Sequence, residues 1–284
     1  MKIAVIQMVS GPELGENLAR AKHWMAQAAE AGAELVALPE YFCLMGRRDT
    51  DKLVHAEPDL CAHAEAAAPI QRLLSDSARE LGLWVLGGTL PMRCEGAAAD
   101  QRVRNSSCVY APDGQRAARY DKMHLFRFDN GREAYDEGQV LERGDEPVAV
   151  ELRSREGQAC RMGLSVCYDL RFPELYRRLS FTPDQRPCDL LAVPAAFTYT
   201  TGEAHWELLL RARAVENQCY VIAPAQGGRH QNGRRTWGHS MIVDPWGQVL
   251  GCLPEGEGLV LATLDAARLA AVRQQLPALQ HRLL

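Results

Sequence analysis

Short apolar runs alternate with longer stretches of helical periodicity along almost the whole chain, and this alternation restricts the fold more than any other feature. Lys2–Met8 and Leu35–Pro39 read as buried strands. Between them, Glu16–Ala31 repeats Leu18, Ala21, Trp24, Met25 and Ala28 at helical spacing. Pro69–Leu81 reads as a second helix with proline near its start, followed by a strand at Trp84–Leu90. Val103–Tyr110 and Ala117–Tyr120 flank Ala111-Pro112-Asp113-Gly114, a hairpin signal. The second half repeats the pattern. Strands are expected at Arg161–Cys167, Leu190–Pro194 and Tyr220–Ala225, with helices from Pro173 and over His205–Cys219. Gly238–Val243 and Gln248–Cys252 bracket the turn Asp244-Pro245-Trp246-Gly247. Leu259–Leu264 and Ala266–Leu276 close the chain as a strand and a helix. An α/β fold follows. Two halves that each end in a hairpin suggest two sheets, each covered by helices on one face. Periodicity alone equally admits a single doubly wound sheet. No linker or fixed repeat divides the 284 residues, so 1–284 reads as one domain.

Charge and cysteine usage remove several function classes. A net charge of −4 offers no basic field to a polyphosphate, so no nucleic-acid partner is expected. The basic pairs Arg177-Arg178 and Arg234-Arg235 read as solvated faces. No apolar run approaches the roughly 18 residues that cross a bilayer. The N-terminal run stops at Gln7 without a signal-peptide cleavage site, which points to a cytoplasmic protein with no membrane partner. The nine cysteines are odd in number, contain no Cys-x-x-Cys pair and show no zinc-like Cys/His spacing. That is reduced, cytosolic usage with neither disulfide framework nor metal site.

Three residues stand apart from this background. Cys167 closes an apolar strand and is followed by Tyr168, Asp169, Leu170, Arg171, Phe172, Pro173 and Glu174. A strand-to-helix corner lifts a nucleophile out of its sheet and turns backbone N–H groups towards a developing oxyanion. A cysteine that merely finishes a core strand is the simpler reading of the strand, but it does not require the polar cluster Asp169, Arg171 and Glu174. Glu40 follows Leu35-Val36-Ala37-Leu38-Pro39, at the carboxyl end of a buried strand where sites of open α/β sheets gather. Apolar walls would partly desolvate it, which suits a general base; a strand-end ion pair is the alternative. Lys122 lies in Tyr120-Asp121-Lys122-Met123-His124-Leu125-Phe126, amid apolar and aromatic residues. Its ammonium could stabilise an oxyanion and favour a neighbouring thiolate, or its stem could simply cover apolar surface. His124 reads as a packed histidine.

The order Glu40, Lys122, Cys167 in these flanking sequences resembles the nitrilase superfamily of carbon–nitrogen hydrolases, and the resemblance runs from Lys2 to about Arg282. It implies a four-layer α-β-β-α sandwich and a homodimer or larger homo-oligomer. It also implies hydrolysis of a small amide through a Glu-Lys-Cys triad with no metal or organic cofactor. A second glutamate usually follows the lysine in this family. Glu137, seven residues before Gly144, matches it best, although Gly138 replaces a frequent serine and Glu133 and Glu142 lie close by. The backbone N–H of Tyr168 would join Lys122 in holding the oxyanion. Arg171 is the nearest cation for a substrate carboxylate, unless it pairs with Asp169 or Glu174 to brace the cysteine loop. Segments from Thr201-Gly202-Glu203-Ala204-His205-Trp206-Glu207 to Gly238–Gly247, including Gln226-Gly227-Gly228-Arg229-His230, look like the Nit branch and imply a carboxylate-bearing metabolite as substrate. Three other classes fit less well. A Cys–His protease lacks its local signatures. A non-catalytic module would have lost one of the three residues. A dinucleotide oxidoreductase would carry Gly-x-Gly-x-x-Gly after the first strand.

Overall fold

In the computed structural model, which describes residues 1–95, 101–181 and 186–283, the two halves of the chain build separate sheets. The first half supplies β1 (Lys2–Gln7), β2 (Leu35–Ala37), β3 (Trp84–Leu86), β4 (Leu90–Arg93), β5 (Val103–Tyr110) and β6 (Arg116–Asp121). A two-stranded ribbon follows, β7 (Arg127–Asp129) with β8 (Ala134–Asp136). The second half supplies β9 (Ala149–Arg153), β10 (Ala159–Leu164), β11 (Leu190–Ala192) and β12 (Tyr220–Ala223). A second ribbon pairs β13 (Gly227–Arg229) with β14 (Arg235–Trp237), before β15 (Ser240–Val243) and β16 (Val249–Leu253). The last strand, β17 (Gly258–Thr263), returns to the first sheet and runs antiparallel to β1. The seven-stranded sheet has the order β17-β1-β2-β3-β5-β4 with β6 on β5, and the six-stranded sheet the order β16-β15-β12-β11-β10-β9.

Side chains alternate across each strand, and here both faces are apolar. In β1 and β2, Ile3, Val5, Leu35 and Ala37 enter the core shared with the second sheet. Their neighbours Ala4, Ile6 and Val36 pack with Met25 of α1 (Leu14–Glu30), and with Ile70 and Leu74 of α3 (Pro69–Leu81). A single turn, α2 (Asp51–Val54), lies between those helices in sequence. The second sheet packs on α4 (Pro173–Ser180) and α5 (Tyr199–Asn217), and α6 (Ala266–Gln275) follows β17. The result is four layers, helix-sheet-sheet-helix. A sheet covered on both faces reads as continuous apolar runs rather than alternating ones, which is why periodicity could not distinguish this arrangement from a doubly wound sheet.

Three boundaries differ from expectation, and each difference shapes the site. Trp84–Leu90 is two strands, because Gly87-Gly88 breaks it. Gly88 has φ +50°, and a Cβ there would collide with the Pro39 carbonyl. The bend therefore admits the Leu38-Pro39 segment that carries Glu40. The strand expected to reach Cys167 ends at Leu164, and Cys167 opens a 3-10 turn, Cys167–Arg171. Helix α5 begins at Tyr199 rather than His205. Thr200, Thr201 and Gly202 are weak helix formers, yet Gly202 is needed there because a Cβ would strike the Trp237 ring. β9, α2 and both ribbons have no counterpart among the expected elements.

Candidate active site

Three strand ends converge on one narrow pocket lined by Glu40, Glu137, Cys167, Tyr168 and Arg171. Glu40 leaves β2 through Pro39, and Tyr41 after it takes φ +56°, an uncommon left-handed conformation for a bulky residue. That kink is held by the Tyr41 N–H donating to Thr89 Oγ1 at 2.9 Å. The Glu40 carboxylate is almost fully buried. Its Oε1 accepts from Lys122 Nζ and Asn105 Nδ2, both at 2.9 Å, and its Oε2 from the Ala196 N–H at 2.8 Å.

Lys122 follows β6 and donates to Glu137 Oε2 at 2.8 Å as well as to Glu40. Burial alone would push its pKa down, but the charges of Glu137 and then Glu40 outweigh burial and hold the ammonium above its usual range. Glu137 begins a 3-10 turn after β8 and also accepts from the Tyr41 hydroxyl at 2.9 Å and the Phe126 N–H at 2.7 Å. Burial opposes ionisation of Glu137, yet Lys122 and these hydrogen bonds keep its pKa below the ordinary value. Of the three nearby glutamates, Glu137 is the one brought to the lysine. Glu142 instead pairs with Arg104 at 2.6 Å.

Cys167 itself has φ +50°, and its N–H donates to the Pro194 carbonyl at 2.9 Å. Asp169, two residues later, is fully buried and fixes this corner. Its Oδ2 accepts from the Tyr120 hydroxyl at 2.7 Å and the Val166 N–H at 2.8 Å, while Oδ1 faces the His124 N–H at 3.0 Å and Nδ1 at 2.7 Å. The cysteine corner is thus tied directly to the lysine segment. His124 is packed, as expected, stacking on Phe172 with ring centroids 3.7 Å apart. At the start of such a turn, N–H groups lack partners within it. The N–H of Asp169 reaches the Val166 carbonyl at 3.0 Å, so Tyr168 presents its own between two that are engaged.

Lys122 does favour the Cys167 thiolate, but other causes outweigh it. Burial first, then Glu40, raises the Cys167 thiol well above its usual range, and Lys122 only partly offsets them. The lysine is already shared by two carboxylates, so the cluster carries net negative charge.

Arg171 reaches the pocket without pairing to Asp169, whose oxygens are taken. Its Nη1 lies 3.3 Å from His205 Nδ1, and its guanidinium lies near the rings of Phe197 and Tyr168. Arg234 corrects another expectation, because it lines the same pocket rather than a solvated face. Asn105 was also missed, although a polar residue within the apolar strand Val103–Tyr110 was a visible signal. All nine cysteines are free, and among the described residues no His, Cys, Asp and Glu cluster is placed to hold a metal. Among them, too, no helix is long and apolar enough to cross a membrane.

This fold and residue set define a class. The chain belongs to the carbon–nitrogen hydrolase family of the nitrilase superfamily, whose sequence profile matches residues 2–274. Within that family it is similar to the deaminated glutathione amidase of Synechocystis sp., at 42% identity over 98% of this chain and 97% of the relative. Its structure is similar to Saccharomyces cerevisiae Nit3, a member of branch 10 of the nitrilase superfamily. The TM-score is 0.83, with 28% identity over 100% of this chain and 97% of that one. It is also similar to a mutant amidase from Nesterenkonia sp. that carries an acrylamide Michael adduct at its active-site cysteine. There the TM-score is 0.74, with 26% identity over 99% of both chains.

Proposed function

We propose that this protein is an amidase that hydrolyses deaminated glutathione to 2-oxoglutarate and cysteinylglycine through a cysteine thioester. The observation that carries the reading is one pocket lined by Cys167 and Glu40, with Lys122 hydrogen-bonded to that glutamate at 2.9 Å, in a chain 42% identical to a deaminated glutathione amidase. Glu40 takes the Cys167 proton as sulfur attacks the amide carbonyl, so no thiolate need exist beforehand. The oxyanion is held by Lys122 Nζ and the Tyr168 N–H. Glu137 acts as a positioning residue for Lys122. As the C–N bond breaks, Glu40 returns the proton to the leaving amine. Water then attacks the thioester, giving up a proton to Glu40, which passes it to sulfur as the carboxylic acid departs. No metal or organic cofactor enters this scheme. Arg171 receives a carboxylate at the acyl end.

Turnover of deaminated glutathione, 2-oxoglutaramate and a simple aliphatic or N-carbamoyl substrate tests the assignment. Deaminated glutathione should have the highest kcat/KM, and Cys167→Ser should abolish all turnover while leaving the thermal midpoint near that of the wild type. A preference for 2-oxoglutaramate would make the protein an ω-amidase instead. Alkylation that kills activity while mapping to Cys43 or Cys61 would remove Cys167 from the mechanism.

We also infer that the working unit is a homodimer or larger homo-oligomer. The family resemblance supports this, as do the exposed Leu208 and Val215 of α5 and the exposed Trp246.

A further inference from the structure

Two guanidinium groups line the pocket over Cys167, and neither has a carboxylate partner among the described residues. Arg234 lies in the turn between β13 and β14. Its Nη2 donates to the Ala196 carbonyl at 3.3 Å, its guanidinium carbon lies 5.0 Å from the centre of the Tyr135 ring, and its Nε is buried with no hydrogen-bond partner. A buried donor left unused costs free energy that an anionic ligand can recover.

The pocket beside Cys167 leaves only about 10 Å³, room for about one water, so the bulk of a metabolite has to lie beyond it. Arg234 also lines an adjoining cleft of about 240 Å³, together with Tyr41, Arg48, Lys52 and Asn232. The cleft is cationic. Arg47, Arg48, Lys52 and Arg234 outnumber the single carboxylate, Asp49, which Lys52 already pairs at 2.8 Å. Arg171 lines the pocket and not this cleft.

Direction follows from the proton. The leaving amine must be reached by Glu40 inside the pocket, and Arg234, which lines both pocket and cleft, marks where the rest of that amine passes from one to the other. Ala196 joins the two places, giving its N–H to Glu40 at 2.8 Å and its carbonyl to Arg234. We propose that Arg234, with the cleft beside it, binds a carboxylate on the leaving amine and so selects amides of carboxylate-bearing amines. The assignment rests on the amidase reading above. It gives the two arginines separate tasks, Arg171 for the acyl end and Arg234 for the amine end. A substrate that releases ammonia has nothing for Arg234 to hold.

The test compares deaminated glutathione with its C-terminal carboxamide, which differs only in lacking that charge. Wild-type kcat/KM should favour the acid by roughly 10- to 100-fold, mainly through KM, as fits a hydrogen bond to a charged group. Arg234→Gln should bring the ratio close to 1, and Arg234→Lys should restore part of it. Because the ratio compares two substrates on one protein, a general loss of activity cancels. A wild-type ratio near 1, or a wild-type ratio preserved in Arg234→Gln, overturns the assignment. If Arg234→Gln does not fold, the wild-type ratio alone decides. An enzyme that ignores both compounds yet hydrolyses 2-oxoglutaramate overturns the underlying substrate reading instead.

Discussion

Lys122 carries one positive charge between Glu40 at 2.9 Å and Glu137 at 2.8 Å, so its surroundings are over-neutralised before substrate arrives. That excess matters at Cys167, whose thiol is raised first by burial and then by the Glu40 and Glu137 charges. Removing the Glu137 charge takes away one raising cause and leaves Lys122 to act more fully on sulfur. The thiolate is the form that alkylates, so a lower thiol pKa means reaction at lower pH. In Glu137→Gln, the pH midpoint for iodoacetamide modification of Cys167 should therefore fall, read by mass spectrometry of the adduct. Amide turnover should fall in the same variant by about 10²-fold, because Lys122 loses the partner that fixes it against the oxyanion. A more reactive thiol in a slower enzyme separates positioning from simple structural damage. An unmoved midpoint would sink the role given to Glu137.

The ribbon of β13 and β14 is held over the pocket by His230, whose imidazole is buried. A carbonyl can only accept, so Nδ1 donates to Ser10 at 2.9 Å and Nε2 accepts from Thr236 at 2.8 Å. Burial and the nearby Arg234 and Arg20 charges outweigh the Ser10 bond and lower the pKa to about 4. An unfolded histidine titrates near 6.5. The neutral ring therefore favours folding above about pH 6.5, and that contribution is lost as pH falls towards 4. Its size by pH 5 is about 2 kcal/mol. Urea unfolding at pH 7 and pH 5 should show that loss, and His230→Asn should be flatter across the same interval by a similar amount. Equal slopes would remove His230 as the cause. The ribbon also marks where sequence ran out. Gly227-Gly228-Arg229 has no apolar period, so nothing local announced a strand, and Arg234 looked like surface charge. Glu40 and Cys167 were legible because each ends or follows an apolar run, Lys122 because apolar and aromatic residues surround it, and all three through their order along the chain. Ala196 was not, since its backbone N–H reaches Glu40 from the other sheet.

At the scale of the whole molecule, the return of β17 to β1 ties the last strand to the first, so the seven-stranded sheet is not complete from the first half of the sequence alone. The same end of the chain carries an exposed apolar surface. Leu208 is 69% exposed and Val215 50% on α5, and Trp246 in the β15–β16 turn is 54% exposed. Val215 and the Trp246 turn adjoin, because Gly247 packs on Val215 and its carbonyl accepts from Arg211 Nε at 2.8 Å. The opposite face of α5 buries Trp206, Leu210 and Ala214. A helix with apolar residues on both faces belongs between two packed layers, and one subunit supplies only one. Charge on the exposed face also comes in both signs, with Glu207 and Arg211 paired along the helix at 3.4 Å. A two-fold axis through this surface would set the same patch against itself and match each sign to its opposite. Light scattering at micromolar concentration should therefore give at least twice the mass of one chain. Leu208→Glu with Trp246→Glu should reduce it to a single chain without unfolding, because both residues lie outside the core and two buried charges on each side would face their copies. A wild-type protein that is monomeric, or a double variant that keeps the wild-type mass, would place the assembly elsewhere.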